Sequence, residues 1–396
     1  MGVSIGMVGL GAFGKEFVDF YAAHPLVDRI ALCDREPERI RAFMDNPTVT
    51  KKFRPSDAYS SLDELLKTDI DAVVIITQHW LHAPQAIAAM EAGKHAYTAV
   101  PVISIPDADE TIEWCDKLIS ACKRTGMRYM LGETTYYRPQ AMFCRRKAAE
   151  GAFGRFVYGE GEYWHDVDAP HCNLRDVIKW RMASKAGQEW SKIMEGYRKR
   201  GIKGGPMHYP THSVSGPFSV MKSHAVKVSC FGTLPPEGDE WFADDAFGNE
   251  TALFQMSNGA SVRICEYRDI GVIGREMFSL MGTKAAFYGG EFKCESDYWS
   301  DKNNLTKVTL QEMRDLLPDE VYKAFLAAGK GDPYGGHGGS HTYLVNEFVQ
   351  SVAEDRQPAT NAWEAVRWMA AGATAHKSAL KGGELLKVPD WGDAPE

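Results

Sequence analysis

A chain of 396 residues is long for one hydrophobic core and suits two domains. Its 44% hydrophobic and 25% charged residues are ordinary globular values, and a net charge of −8 without a basic block argues against a nucleic-acid partner. No apolar run reaches the roughly 18 residues that span a bilayer, and no basic segment precedes the first apolar run. A cytoplasmic chain with neither membrane span nor signal peptide is therefore expected.

The first third alternates strand and helix patterns. Strands are read at 3–8, 29–33, 71–76, 95–98 and 128–131, and helices at 14–24, 37–44, 83–91 and 107–125. Ser61-Leu62-Asp63-Glu64 reads as the capped start of a further short helix. Such alternation means a parallel sheet covered by helices on both faces. After about residue 133 the pattern changes. One helix at 141–150 is followed by β-branched and aromatic strands at 155–165, 225–232, 251–257, 260–268, 275–282 and 285–289, with an Asn258-Gly259 hairpin signal. Closing helices are read at 343–354 and 363–380. Long loops are expected from 166 to 217 and a Gly-rich loop at 335–339. The expected division is 1–133 and 134–396, each an α/β unit, the second with a large, mostly antiparallel open sheet.

The most informative stretch is Val8-Gly9-Leu10-Gly11-Ala12-Phe13-Gly14. It sets Gly-x-Gly-x-x-Gly between a buried strand and a helix, with Asp34 about 20 residues further on, after a second apolar run. Gly9 permits the tight turn, Gly11 lets the backbone approach a pyrophosphate, and Gly14 lets helix and strand pack closely. The helix N-terminus offers N–H groups and positive dipole to the phosphates. Asp34 suits a ribose diol and so favours NAD over NADP, while Arg35 next to it is the residue type that would accept a 2′-phosphate. Cysteines at 33, 115, 122, 144, 172, 230, 265 and 294 include no Cys-x-x-Cys, so reduced thiols are expected. His171 and Cys172 lack a third ligand at useful spacing, and no metal is expected.

Further segments carry a family resemblance. Thr77-Gln78-His79-Trp80-Leu81-His82, the helix ending Glu91-Ala92-Gly93-Lys94-His95, the Gly151-Ala152-Phe153-Gly154-Arg155-Phe156 entry and the closing helices around Pro358 and Thr360 are similar to the Gfo/Idh/MocA superfamily of sugar oxidoreductases. The resemblance covers essentially the whole chain. It implies a Rossmann domain followed by an α/β domain whose open sheet often mediates homodimers or homotetramers, with the cofactor at the strand ends and a small carbohydrate between the domains. It also implies cofactor contacts from Gly9, Gly11, Ala12, Phe13, Gly14, Asp34, Arg35, Thr77, Gln78, His79, His82, Val100 and Pro101.

Two departures redirect the reading. Where most dehydrogenases of the superfamily carry Glu-Lys-Pro, this chain has Ala99-Val100-Pro101. The proline, suited to a cis bond, remains, but the lysine near the reacting hydroxyl is gone, and Val100 cannot be a base. Where the superfamily has Asp-x-x-x-His, His208 takes the Asp position and His212 remains. Tyr209-Pro210-Thr211-His212, Tyr163-Trp164-His165 and Gly336-His337-Gly338-Gly339 together resemble the branch of NAD-dependent α-N-acetylgalactosaminidases and related redox-assisted glycosidases. That chemistry is a cycle: C3 of a pyranoside is oxidised, the new carbonyl acidifies the C2 proton, the enolate expels the C1 substituent, water adds, and C3 is reduced again. The resemblance implies Tyr163 as C2 base, His165 as its partner or leaving-group acid, and His212 as the group on the C3 oxygen. His208, Tyr209, His337 and Tyr137 are expected to touch the sugar.

A lone histidine is more often structural than catalytic, and His212 is set apart by its family position. Tyr163 and His165 share a strand face by periodicity, which suits a catalytic pair and equally suits packing. Lys179, Arg181, Lys185, Arg198, Lys199, Arg200 and Lys203 read first as a solvated face. The sharper reading gives Arg181, beside Trp180, an anionic sugar to grip. An NAD-dependent glycosidase leads. A sugar or polyol dehydrogenase with histidine replacing lysine is the alternative, and a non-catalytic nucleotide or sugar sensor the third.

Overall fold

The computed structural model describes residues 2–169, 174–272, 274–290, 296–329 and 331–395. Its first sheet uses β1 (Val3–Val8), β2 (Val27–Cys33), β3 (Ala58–Tyr59), β4 (Ala72–Ile75), β5 (His95–Ala99) and β6 (Tyr129–Gly132), in the order β3-β2-β1-β4-β5-β6. All pairs are parallel. Connections run through α1 (Lys15–Ala23), α2 (Pro37–Arg41), α3 (Leu62–Leu66), α4 (His82–Glu91) and α5 (Ala108–Thr125). Local chemistry sets the ends as expected. Ser61 Oγ accepts the Glu64 N–H at 3.3 Å to start α3. Gly126, at φ 71°, ends α5 in the left-handed conformation. Apolar β4, buried at every position, lies at the middle of the sheet.

The second sheet has nine strands. After α6 (Pro139–Ala149) come β7 (Phe156–Trp164), α7 (Leu174–Met182), α8 (Lys185–Lys199) and α9 (Thr211–Met221). The strands β8 (Ala225–Thr233), β9 (Asn249–Met256), β10 (Ser261–Tyr267), β11 (Arg275–Gly282), β12 (Ala285–Tyr288), β13 (Asp297–Asp301) and β14 (Leu305–Val308) follow. Then come α10 (Leu310–Met313), α11 (Asp319–Ala328), α12 (His341–Ala353), α13 (Ala362–Leu380) and the short β15 (Leu386–Lys387). The order is β14-β13-β12-β11-β7-β10-β9-β8-β15. Every pairing is antiparallel except β7 with β10, so the expected antiparallel sheet holds with one parallel pair near its middle.

The expected loops from 166 to 217 are a correction. The described part of that stretch holds three helices, α7, α8 and α9. Gly216 and Pro217 hid α9 from a propensity reading, yet tertiary burial of ten of its eleven residues holds it helical. His171 and Cys172 lie outside the described residues, and the six described cysteines are buried and free. Among the described residues no helix is long and apolar enough to cross a membrane.

Three contacts between distant segments shape the site. Thr360 accepts the Leu131 N–H through its carbonyl at 2.9 Å and returns its hydroxyl to the Leu131 carbonyl at 2.7 Å, so the turn before α13 clasps β6. Leu344, Val345, Phe348 and Val349 of α12 share a buried cluster with Val3, Ile5 and Met7 of β1, so the closing segment returns onto the first sheet. The third contact is the approach of α9 to β7. A Cβ on Gly161 would stand 1.9 Å from the Ser213 carbonyl oxygen, so only glycine lets the helix lie this close.

Candidate active site

One cavity of about 860 Å³ opens at the C-terminal ends of the parallel strands and is closed from the other side by the second sheet, α7 and the 335–339 loop. On its nucleotide side stand Gly9, Gly11, Ala12, Phe13, Gly14, Asp34, Arg35, Thr77, Gln78, His79, His82 and Val100. Facing them are Tyr163, His165, Arg181, Tyr209, His212 and His337. Tertiary folding thus gathers eighteen of the residues singled out from the sequence around one space.

The glycine loop has the geometry of a phosphate cradle. Gly9 adopts φ 90°, and a Cβ there would lie 2.3 Å from the Ile76 carbonyl oxygen. On Gly14 a Cβ would lie 1.9 Å from the Gly9 carbonyl oxygen, so helix α1 meets the loop without room for a side chain. Gly11, by contrast, borders the cavity, and a Cβ there would meet only the Arg39 guanidinium at 3.9 Å. The open side of the loop is therefore the side a pyrophosphate would take. Asp34 is buried and held from three sides: Oδ2 accepts the Leu10 N–H at 2.7 Å, Oδ1 the Glu36 N–H at 2.9 Å, and both lie 3.3 Å from Arg39 Nη1. Arg35 turns to Glu189 on α8, with bonds of 3.0 and 2.8 Å. These residues fit a dinucleotide.

Three sequence expectations need correction. Pro101 forms the expected cis bond with Val100 but does not line the cavity. Tyr137 is buried outside it, in ring contact with Tyr136. His208 also faces away: its ring packs 4.5 Å from His376 of α13, and neither ring nitrogen has a hydrogen-bond partner among the described residues. In the short 3₁₀ turn at Pro206–His208 successive side chains point about 120° apart, and His208 falls on the side that packs against His376. His82 borders the cavity but spends its ring on the backbone. Nδ1 donates to the Pro101 carbonyl at 2.8 Å, and Nε2 lies 3.3 Å from the Thr77 carbonyl. Its imidazole is thus a brace between the loops after β4 and β5.

Two hydrogen-bonded dyads face the cavity. On β7 the Tyr163 hydroxyl lies 2.9 Å from His165 Nδ1, as shared strand face requires. Burial pushes the Tyr163 phenol well above its ordinary range, opposed by the Arg268 guanidinium 4.8 Å over its ring. Arg268 is itself held by Glu266 at 2.8 Å. In the first turn of α9, His212 Nδ1 donates to Glu133 at 2.8 Å, leaving Nε2 without a hydrogen-bond partner among the described residues. Its ring lies 4.9 Å from that of Tyr163 and 5.4 Å from that of Tyr209. Burial alone would lower the His212 pKa, but the carboxylates of Glu133 and, at 3.7 Å, Glu276 outweigh it and hold the imidazole up to about 9. Burial disfavours charge on Glu276 too, yet Arg138 at 2.6 Å and His212 keep its pKa below the usual value.

Glu133, His212 and Glu276 present donor atoms within 4.8 Å of one another, a spacing that could hold a metal ion. Arg138 and Thr135 already bind Glu276, and His212 binds Glu133, so two carboxylates are balanced by two cations. The set reads as an internal charge network. His337 adopts φ 51° and bonds through Nδ1 to Nε2 of buried His341 at 2.9 Å, with Phe13 5.4 Å away. Sequence reasoning missed Glu133, Glu276, Arg138 and Arg268. Glu133 had a usable signal, being the first residue after a parallel strand, where such folds bind ligands. The others arrive from remote segments and carry no local signal.

Comparison with known proteins matches two stretches of the chain. Residues 3–133 match the family model described as oxidoreductase family, NAD-binding Rossmann fold, and residues 292–394 match the glycosyl hydrolase 109 C-terminal domain. A glycosyl hydrolase family 109 protein of Streptomyces filamentosus is 26% identical, the match covering 98% of this chain and 77% of the relative. One from Solibacter usitatus is 24% identical, with 98% and 88% covered. The fold is shared with levoglucosan dehydrogenase in complex with NADH and levoglucosan, at TM-score 0.73 and 18% identity over 98% of this chain and 100% of that one. It is shared too with aldose-aldose oxidoreductase from Caulobacter crescentus complexed with glycerol, at TM-score 0.72 and 14% identity, again over 98% and 100%.

Proposed function

Because this chain belongs to the Gfo/Idh/MocA superfamily, in its glycosyl hydrolase 109 branch, we propose that it hydrolyses a sugar glycoside with a nicotinamide dinucleotide that is borrowed and restored within each turnover. The observation that carries this reading is the pair of dyads, Tyr163–His165 and Glu133–His212, facing one cavity that the glycine loop also borders. Oxidation alone needs one base. Two independently supported acid–base groups 4.9 Å apart suit chemistry at two neighbouring carbons.

Gly9, Gly11, Gly14 and Asp34 would hold the cofactor, and its bound nicotinamide supplies a reversible two-electron acceptor for C3 of the sugar. His212 Nε2 takes the proton from the C3 hydroxyl and later returns it, with Glu133 stabilising the imidazolium. Tyr163, its phenol bonded to His165 and its anion favoured by Arg268, removes the proton at C2 that the C3 carbonyl has acidified. His165 receives the phenolic proton and is the group available to protonate the departing oxygen at C1. Tyr209, whose hydroxyl reaches the Val100 carbonyl at 3.4 Å, closes the floor where a dehydrogenase lysine would stand. His337 borders the same space and is a proposed sugar contact. NAD is favoured over NADP because Asp34 is fixed in the ribose position and Arg35 is engaged by Glu189. Exposed Phe231 and Leu253 on the second sheet support a homodimer or homotetramer, read by sedimentation.

The deciding experiment incubates the protein with NAD⁺ and aryl glycosides, following aglycone release and absorbance at 340 nm together. Hydrolysis predicts release without net NADH, and solvent deuterium at C2 of the product. A second reading, a sugar dehydrogenase, is favoured by the Glu133–His212 dyad, which suffices for oxidation by itself. It predicts stoichiometric NADH with no bond cleavage.

A further inference from the structure

The α7–α8 hairpin is built unlike the rest of the molecule. None of the nine residues of α7 is buried, although Val177, Ile178 and Arg181 border the cavity. Its two ends are tied to different parts of the fold. At the start, Arg175 binds Asp168 and Asp239 of the second domain, each at 2.7 Å. At the finish, Tyr197 and Arg200 bind Glu110 of α5, at 2.6 and 2.9 Å. Between these anchors the hairpin crosses the nucleotide half of the cavity.

Two contacts hold the crossing down. Glu189 receives both terminal nitrogens of Arg35, the residue following Asp34. Trp190 stacks on Trp80, ring centroids 4.6 Å apart and planes 13° from parallel. Glu189, Trp190 and Trp80 do not themselves border the cavity. The inner side delivers a charge as well. Arg35 is engaged by Glu189 and Arg39 by Asp34, whereas Arg181 has no acidic partner among the described residues. Its guanidinium lies 3.5 Å from His79 Nε2, which burial and Arg181 itself keep neutral. An unpaired guanidinium in a part-buried position calls for an anion. A dinucleotide brings a diphosphate to this half of the cavity, where the glycine loop contributes only N–H groups and helix dipole.

We propose that the α7–α8 hairpin is a latch over the bound dinucleotide, fastened by Glu189–Arg35 and Trp190–Trp80, with Arg181 supplying counter-charge to the diphosphate. The inference rests on the nicotinamide dinucleotide of the proposed function, and it explains how a cofactor restored in every cycle stays on the protein between cycles. An enzyme that consumed the dinucleotide would gain nothing from such a fastening, since product release would have to undo it at each turnover.

The test is cofactor release, with no sugar present. Protein loaded with NADH is chased with excess NAD⁺, and the loss of bound-NADH fluorescence gives the dissociation rate. The double variant Glu189→Gln/Trp190→Ala should release NADH about tenfold faster or more, with an apo melting temperature near that of the unchanged protein. An unchanged rate overturns the latch. Should the double variant fold poorly, salt gives the second arm. Release from the unchanged protein should quicken with ionic strength because the Arg35–Glu189 pair is half exposed, and Glu189→Gln should lose that dependence. A salt response equal in both overturns the fastening. For the charge, Arg181→Gln should weaken ADP-ribose at least tenfold and leave adenosine unchanged, whereas equal weakening of both refutes the diphosphate contact. Rapid release with normal glycoside hydrolysis would reject the latch and leave the proposed function standing. Slow release without hydrolysis would do the reverse.

Discussion

Replacing Glu133 by Gln tests the reasoning most directly. The amide keeps a carbonyl for the Thr135 N–H and for His212 Nδ1–H, now 2.8 Å from Glu133 Oε1 in both cases, but removes the charge. A carboxylate at 2.8 Å from the imidazolium is worth about 6 kcal/mol at an effective dielectric of about 20. The rise, from 6.5 to about 9, corresponds to about 3 kcal/mol after burial has taken its share. Losing Glu133 therefore removes more than the whole rise, and Glu276 at 3.7 Å restores only part of it. His212 should titrate at or below 6.5 in the variant, read from its ring proton shifts by NMR. Because His212 must be neutral to accept the C3 hydroxyl proton, kcat/KM of the unchanged enzyme should climb with pH and level off near 9. The variant should level off near or below 6.5, with a lower plateau because the base is weaker. Stability is linked with the same sign. A folded pKa above the unfolded one contributes stability present in full below about 6.5 and lost as pH rises through about 9. Apo protein should lose about 3 kcal/mol across that window, and Glu133→Gln should flatten it. An unmoved titration and an unmoved pH profile would refute the role given to Glu133.

Other consequences are equally open to measurement. Tyr163→Phe preserves the ring beneath Arg268 but removes the C2 base, so aglycone release should fall about 10²–10⁴-fold while NADH still forms in a single turnover. Deuterium exchange at C2 surviving in that variant would exonerate Tyr163. Gly161→Ala sets a Cβ against the Ser213 carbonyl, costing about 1–3 kcal/mol in thermal unfolding and displacing His212 from Tyr163, with a disproportionate loss of turnover. An unaltered melting temperature would count against the close approach of α9 and β7. NAD should bind about 100-fold more tightly than NADP in calorimetry, since a 2′-phosphate would meet the fixed Asp34 carboxylate. Asp34→Ala should narrow that ratio. His208→Asn, at a position turned away from the cavity, should alter stability more than KM, and a rise in KM alone would return His208 to the sugar.

What the sequence determined by itself is what short-range rules encode. The glycine spacing, the apolar period of the first strands and the Asp34 position fix a dinucleotide cradle, because turn, helix N-terminus and strand are contiguous in the chain. Tyr163 and His165 could be paired in advance, since strand periodicity dictates a shared face and the hydrogen bond follows. For His208 only the family resemblance pointed to the sugar, and no periodicity rule applies. A 3₁₀ turn has no periodicity long enough to say which side faces a ligand, and only packing against His376 decided it. Three helices in the stretch read as loops were illegible for a related reason: α9 carries Gly216 and Pro217 and is helical only because the sheet buries it, while α7 and α8 span a gap. The charge network was beyond reach altogether. Glu133 comes from the first sheet, Glu276 from the second and His212 from the helix between, so their Coulomb coupling exists only at distances that the fold creates. Sequence alone announced that a dinucleotide is held; tertiary structure decided what basicity the residues around it acquire, because burial and neighbouring charge set that property and neither is a property of a linear chain.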